Sequence, residues 1–116
     1  MRILIAGCGY VGFALGTELA KHGHEVFGLR RNSAAAAKLR SAGIQPPTGD
    51  ITKPEELAQL PARYGWVVNC AASSRGGGIE DYRRVYLQGM SNLIAWHAGT
   101  PPLISVSEFT ALFAAL

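Results

Sequence analysis

Three glycines stand at Gly7, Gly9 and Gly12, with Tyr10 and Val11 between the last two, and Arg30-Arg31 begins 18 residues after Gly12. Glycines at this spacing act through the backbone. The first permits a tight turn, the second lets amide N–H groups come close to an anion, and the third lets a helix pack against the preceding strand. A helix opening inside such a turn adds unpaired N–H groups and a partial positive charge. The group that such a turn suits is a pyrophosphate. On spacing alone a glycine turn that holds nothing is an open alternative, because glycine supplies 14 of the 116 residues. Context favours the ligand: an apolar strand pattern runs into the turn at the very start of the chain, and a helical pattern leaves it.

The end of the second strand is where an adenosine ribose would be read. A carboxylate there would hydrogen-bond both ribose hydroxyls and select NAD. This chain has Arg30-Arg31-Asn32 instead. A 2′-phosphate is a dianion that guanidinium groups grip through paired hydrogen bonds and that a carboxylate would repel. The pattern therefore predicts NADP(H), with NAD(H) the weaker ligand. A solvated basic loop is the alternative.

The elements that must position these residues alternate. Arg2–Ala6 reads as a buried strand and Tyr10–His22 as a helix with Val11, Leu15 and Leu19 on one face. Glu25–Leu29 is a second strand. Ser33 suits the N-cap of a helix over Ala34–Ser41, with Gly43 where a helix ends. Ile44–Thr48 is a short third strand, which Pro46-Pro47 pushes to a sheet edge. Lys53–Leu60 opens with Pro-Glu-Glu and is a short helix. Trp66–Cys70 is a fourth strand, Ser73–Gly78 a mobile glycine-rich loop, Glu80–Ala98 a long helix and Leu103–Ser107 a fifth strand. Strands alternating with helices imply parallel pairing through right-handed crossovers, hence a doubly wound α/β sheet in a single domain.

Composition excludes several function classes. Eleven basic and eight acidic residues give a net charge of +3, with the arginines scattered apart from two pairs, so no nucleic-acid footprint is expected. No apolar run reaches the ~18 residues of a membrane span, and the apolar N-terminus is broken by glycines as a signal peptide is not. Cys8 and Cys70 form no CxxC and suit reduced thiols, so a cytoplasmic protein is expected. His22 and His24 flank Gly23 after the first helix, where a cation is common, and no metal site is expected.

With Gly49-Asp50-Ile51 and Val67-Val68-Asn69-Cys70-Ala71-Ala72 added, the chain resembles the extended and atypical short-chain dehydrogenase/reductases, the NAD-dependent epimerase/dehydratase group. The resemblance covers residues 1–107. It implies a Rossmann-type sheet of about five strands in the order 3-2-1-4-5. It also implies that Asp50, with Ile51, faces the adenine amino group and that Ala71, Ala72 and Ser73 lie against the cofactor. "YRRVYLQGMSNLI" is similar to the helix that in this family reads V-N-x-x-G-T-x-N-L: Val85, Gly89, Asn92 and Leu93 agree, whereas Tyr86 and Met90 depart. The expected cofactor-binding set is thus Gly7, Gly9, Tyr10, Val11, Gly12, Arg30, Arg31, Asp50, Ile51, Ala71, Ala72 and Ser73.

The family's catalytic Tyr-x-x-x-Lys has no counterpart: Tyr10, Tyr64, Tyr82 and Tyr86 all lack a lysine four residues on. The resemblance implies a cofactor-binding half that is inactive by itself, truncated before the catalytic pair. Glu108-Phe109-Thr110-Ala111 replaces the family's Val-Tyr-Gly; these four residues can be encoded by GAG TTT ACG GCN, which read from its third base gives Val-Tyr-Gly. A shifted frame and a deliberate truncation are both open readings. A dinucleotide-sensing or association module is the alternative function. In residues 108–116, Phe109, Leu112, Phe113 and Leu116 fall on one helical face. That tail and the bare sheet edge are expected to join two copies into a homodimer.

Overall fold

The structure, a computed structural model, describes residues 1–60, 63–71, 78–97 and 103–105; for Tyr10, Tyr82 and residues 103–105 it describes the backbone alone. Among the described residues there are five strands: β1 (Arg2–Ala6), β2 (Glu25–Leu29), β3 (Ile44–Gln45), β4 (Trp66–Asn69) and β5 (Leu103–Ser105). All pair in parallel in the order β3-β2-β1-β4-β5. The α/β doubly wound sheet expected from the sequence is the one observed. β1 pairs from Arg2↔Glu25 to Ala6↔Leu29 on one side and from Ile3↔Trp66 to Ala6↔Asn69 on the other.

A strand covered on both faces reads as a continuous apolar run, because alternate side chains enter different cores. Leu4, Ala6, Phe27, Leu29 and Val67 belong to one core, closed by Leu57 of α3 (Pro54–Leu57) and Leu93 of α5 (Met90–Trp96). Ile3, Ile5, Val26 and Val68 belong to the other, closed by Leu15 of α1 (Tyr10–Lys21) and Leu39 of α2 (Ala36–Ser41). Leu93 is wholly buried, and its truncation to alanine would cost about 2–5 kcal/mol.

Several boundaries differ from expectation for local reasons. α1 ends at Lys21, because His22 caps it and turns its Nδ1 to the Glu18 carbonyl at 2.9 Å. Val11 is exposed and does not share the buried face of Leu15. α2 starts at Ala36 and has no side-chain cap. Asn32, and not Ser33, shapes the approach: its Oδ1 accepts from the Ala34 amide at 3.0 Å, an Asx turn that competes with helix. β3 stops at Gln45 ahead of Pro46-Pro47, and the pairing resumes as a single bridge between Arg30 and Thr48. α3 is one turn long. β4 ends at Asn69, one residue before Cys70.

The expected helix over Glu80–Ala98 is the largest departure. α4 (Ile79–Arg83) passes into a π-helical segment, Arg84–Gly89, and then into α5 without a break. α5 is anchored to the loop after β3, where the Asn92 Nδ2 donates to the Ile51 carbonyl at 2.8 Å and receives support from Gln88 through a 2.9 Å bond. The Ser73–Gly78 loop apart from Gly78, the last two residues of the expected fifth strand, and the tail at 108–116 lie outside the described residues.

Candidate functional site

The strand order reverses between β1 and β4, and in open α/β sheets ligands bind beyond the carboxyl ends of the strands at such a point. A cavity of about 340 Å³ lies there, at the small end of the ~300–1,000 Å³ of ligand sites.

The glycine turn forms its floor. The amides of Gly7 and Cys8 both donate to the Leu29 carbonyl at 3.0 Å, which ties the turn to the end of β2. Gly7 has φ +75°, and a Cβ there would overlap the Ala71 backbone. Only glycine combines that conformation with that contact. Gly9, the N-cap of α1, has φ −89°, and a Cβ there would meet nothing within 4 Å. The space before Gly9 is open and faces a helix end that carries neither a side-chain cap nor an acidic residue in its first turn. These are the features a pyrophosphate needs: room against bare amides at the positive end of a helix. Gly12 is buried beneath the turn, where a Cβ would come within 2.9 Å of Ile5 Cγ2.

The walls come from the strand ends. Arg30, the first residue after β2, donates from Nη1 to the Cys8 carbonyl at 3.1 Å. Arg31 and Asn32 follow it along the rim. After β3, the Asp50 Oδ1 accepts from the Thr52 amide at 2.9 Å and the Thr52 hydroxyl at 2.7 Å. Partial burial pushes the Asp50 carboxyl up. The two Thr52 bonds, with the Arg31 and Lys53 charges, outweigh that effect and hold it below its usual value. The carboxylate is ionised at neutral pH and fixed in place. After β4, the Asn69 Oδ1 accepts from the Ala71 amide at 3.1 Å, which sets the path of the chain past the cavity. Cys8 and Cys70 also border it. Burial drives both thiols up to about 11, opposed at Cys8 by the Arg30 charge and reinforced at Cys70 by Cys8.

Gly7, Gly9, Val11, Arg30, Arg31, Asp50, Ile51 and Ala71 therefore line one cavity. Gly12 supports it from below; of Tyr10 only the backbone is described, and Ala72 and Ser73 lie outside the described residues. Sequence reasoning missed Asn32 and Thr52. Their signal was the Asx pattern, a polar side chain two residues from the amide it serves. It also missed Asp81, Arg84 and Val85, which reach the cavity from α4 and the π-helical segment and whose i, i+3, i+4 spacing marks one helix face. Among the described residues no group of His, Cys, Asp or Glu could hold a metal, and no helix is long and apolar enough to cross a membrane.

Comparison with known proteins agrees with this geometry. The sequence pattern of the NAD-dependent epimerase/dehydratase family matches residues 3–105. An uncharacterised protein of Schizosaccharomyces pombe is 38% identical over 72 residues, 61% of this chain and 24% of that one. A Bacillus halodurans structure described as an NAD-dependent epimerase/dehydratase superposes with a TM-score of 0.78 at 25% identity, over 90% of this chain and 50% of that chain. A short-chain dehydrogenase/reductase from Vibrio parahaemolyticus, 14% identical, shares the fold with a TM-score of 0.77 over 89% of this chain and 56% of that chain. The chain thus spans about half the length of these solved relatives and about a quarter of the yeast protein. The chain belongs to the NAD-dependent epimerase/dehydratase family, whose cofactor is a nicotinamide dinucleotide.

Proposed function

We propose that these residues form the NADP(H)-binding unit of an epimerase-, dehydratase- or reductase-like protein. The observation that carries the reading is the end of β2. Arg30 and Arg31 line the cavity there, where a carboxylate would be needed to hold two ribose hydroxyls. Gly7, Gly9 and Gly12 with the N-terminus of α1 would hold the pyrophosphate. Asp50 and Ile51 would meet the adenine, and Ala71, with Ala72 and Ser73, would lie along the ribose and nicotinamide. A bound nicotinamide would supply hydride exchange. These 116 residues contain no Tyr-x-x-x-Lys to move a proton, so the chain by itself is proposed to bind cofactor without turnover. The experiment is titration with NADP⁺ before and after Arg30→Ala/Arg31→Ala. A loss of roughly tenfold or more is expected from two charge-assisted contacts, and unchanged affinity would overturn the assignment.

Two free thiols beside the site fit a reducing compartment, and a cytoplasmic location is proposed with it. A second copy of the chain is the proposed partner, joined through the β5 edge and a tail in which Phe109, Leu112, Phe113 and Leu116 recur at helical spacing. Light scattering on the intact chain and on one ending at Ser107 tests this, and a monomeric intact chain at high concentration would contradict it.

A further inference from the structure

Among the described residues, three guanidinium groups line the cavity, and two of them follow β2. The third, Arg84, enters from the far side of the fold, on the helix after β4. It comes in with Asp81 and Val85, one turn of helix face. The commitments of the three differ. Arg30 spends one N–H on the Cys8 carbonyl. Arg31 lies close enough to Asp50 for its charge to hold that carboxyl down. Arg84 is exposed and makes no hydrogen bond or ion pair with any described residue. Its neighbour Arg83 does not line the cavity, and its Nη1 lies 3.9 Å from the Glu80 Oε1.

The backbone explains why Arg84 faces the cavity. α5 is fixed by Asn92 to the Ile51 carbonyl and by Gly89, where a Cβ would come within 2.5 Å of Ile51 Cδ1. Upstream of that anchor the chain takes a π-helical turn over Arg84–Gly89. A π turn holds one residue more than an α turn, and π turns concentrate at functional sites. One added residue rotates everything before it by ~100° about the helix axis. With the anchor fixed, that rotation decides which side chains of α4 and of the start of the π-helical segment line the cavity.

Building on the NADP(H) reading, we propose that Arg84 is a further specificity-determining residue, aimed by the π-helical turn at the anionic adenosine end of the ligand. It supplies the positive charge that Arg30 and Arg31 have partly committed to the protein. The ligand class is an adenosine nucleotide with a phosphate on its ribose.

Titration calorimetry with adenosine 2′,5′-bisphosphate and with 5′-AMP tests this on the wild-type chain, Arg84→Ala and Arg83→Ala, with circular dichroism as the check of fold. For Arg84→Ala the bisphosphate affinity should fall roughly tenfold or more and the AMP affinity less than about threefold, as removal of one charge-assisted contact implies. Arg83→Ala should change neither. Equal losses for both ligands, no loss for either, or the same loss in Arg83→Ala would overturn the role of Arg84 while leaving the NADP(H) reading intact. A wild-type chain that fails to prefer the bisphosphate would overturn that reading and the role of Arg84 together.

Discussion

The Arg30 guanidinium donates to the Cys8 carbonyl at 3.1 Å, so the side chain at the end of β2 is braced by the glycine turn it borders. A planar fork can hold that carbonyl with one N–H and still present others to a phosphate; a lysine ammonium cannot match that geometry. Arg30→Lys should therefore weaken NADP⁺ binding by roughly tenfold despite the retained charge. Arg31→Lys should weaken it less. Equal effects of the two substitutions, measured by calorimetry, would remove the brace from the account.

Gly7 and Gly9 should fail in different ways. At Gly9 the φ of −89° suits any residue and a Cβ meets nothing. Gly9→Val should keep the fold and abolish dinucleotide binding by filling the pyrophosphate space. Gly7 combines φ +75° with contact on the Ala71 backbone. Gly7→Ala should lower stability by about 2–4 kcal/mol. Thermal unfolding followed by circular dichroism, alongside binding, separates the two effects. A Gly9→Val chain that binds normally would take the turn out of the site.

Asp50 makes stability depend on pH. Its folded-state pKa is lowered, so its contribution is complete above the unfolded value, about 4, and is lost as pH falls through the folded value. Melting temperatures of wild type and Asp50→Asn should differ most near neutrality and converge below about pH 4. A difference that is constant across that range would show that the Thr52 bonds do not favour the ionised form.

Cys8 and Cys70 border the cavity yet have thiol pKa values raised to about 11. At pH 8 only about one thiol in a thousand would be ionised, and the thiolate is the reactive form. Iodoacetamide should label both slowly in the native chain and quickly once it is unfolded in denaturant. Rapid native labelling, read by mass spectrometry, would contradict the burial of these groups.

The sheet was legible in the sequence because both its faces are covered, which makes β1, β2 and β4 near-continuous apolar runs. The turn was legible because glycine spacing there is dictated by backbone geometry. Val11 was grouped by period with Leu15 and Leu19, yet it is exposed and lines the cavity, because an apolar residue at the right period can equally well border a ligand space. The start of α2 escaped because Asn32 competes for the Ala34 amide, a choice that hydroxyl and amide side chains make by geometry. The π turn escaped for a different reason. Periodicity reports only the average twist of a helix, and one extra residue between Val85 and the Asn92 anchor leaves that average almost unchanged. Asp81 and Arg84 were lost from the expected site with it.

On the proposed reading, the cavity selects a dinucleotide by its ribose phosphate. Parallel calorimetric titrations of the wild-type chain with NADP⁺ and NAD⁺, at one ionic strength, test it most directly. Both should bind, with NADP⁺ tighter by roughly tenfold or more, the range that charge-assisted contacts from arginine supply. Equal affinities, or tighter binding of NAD⁺, would contradict it.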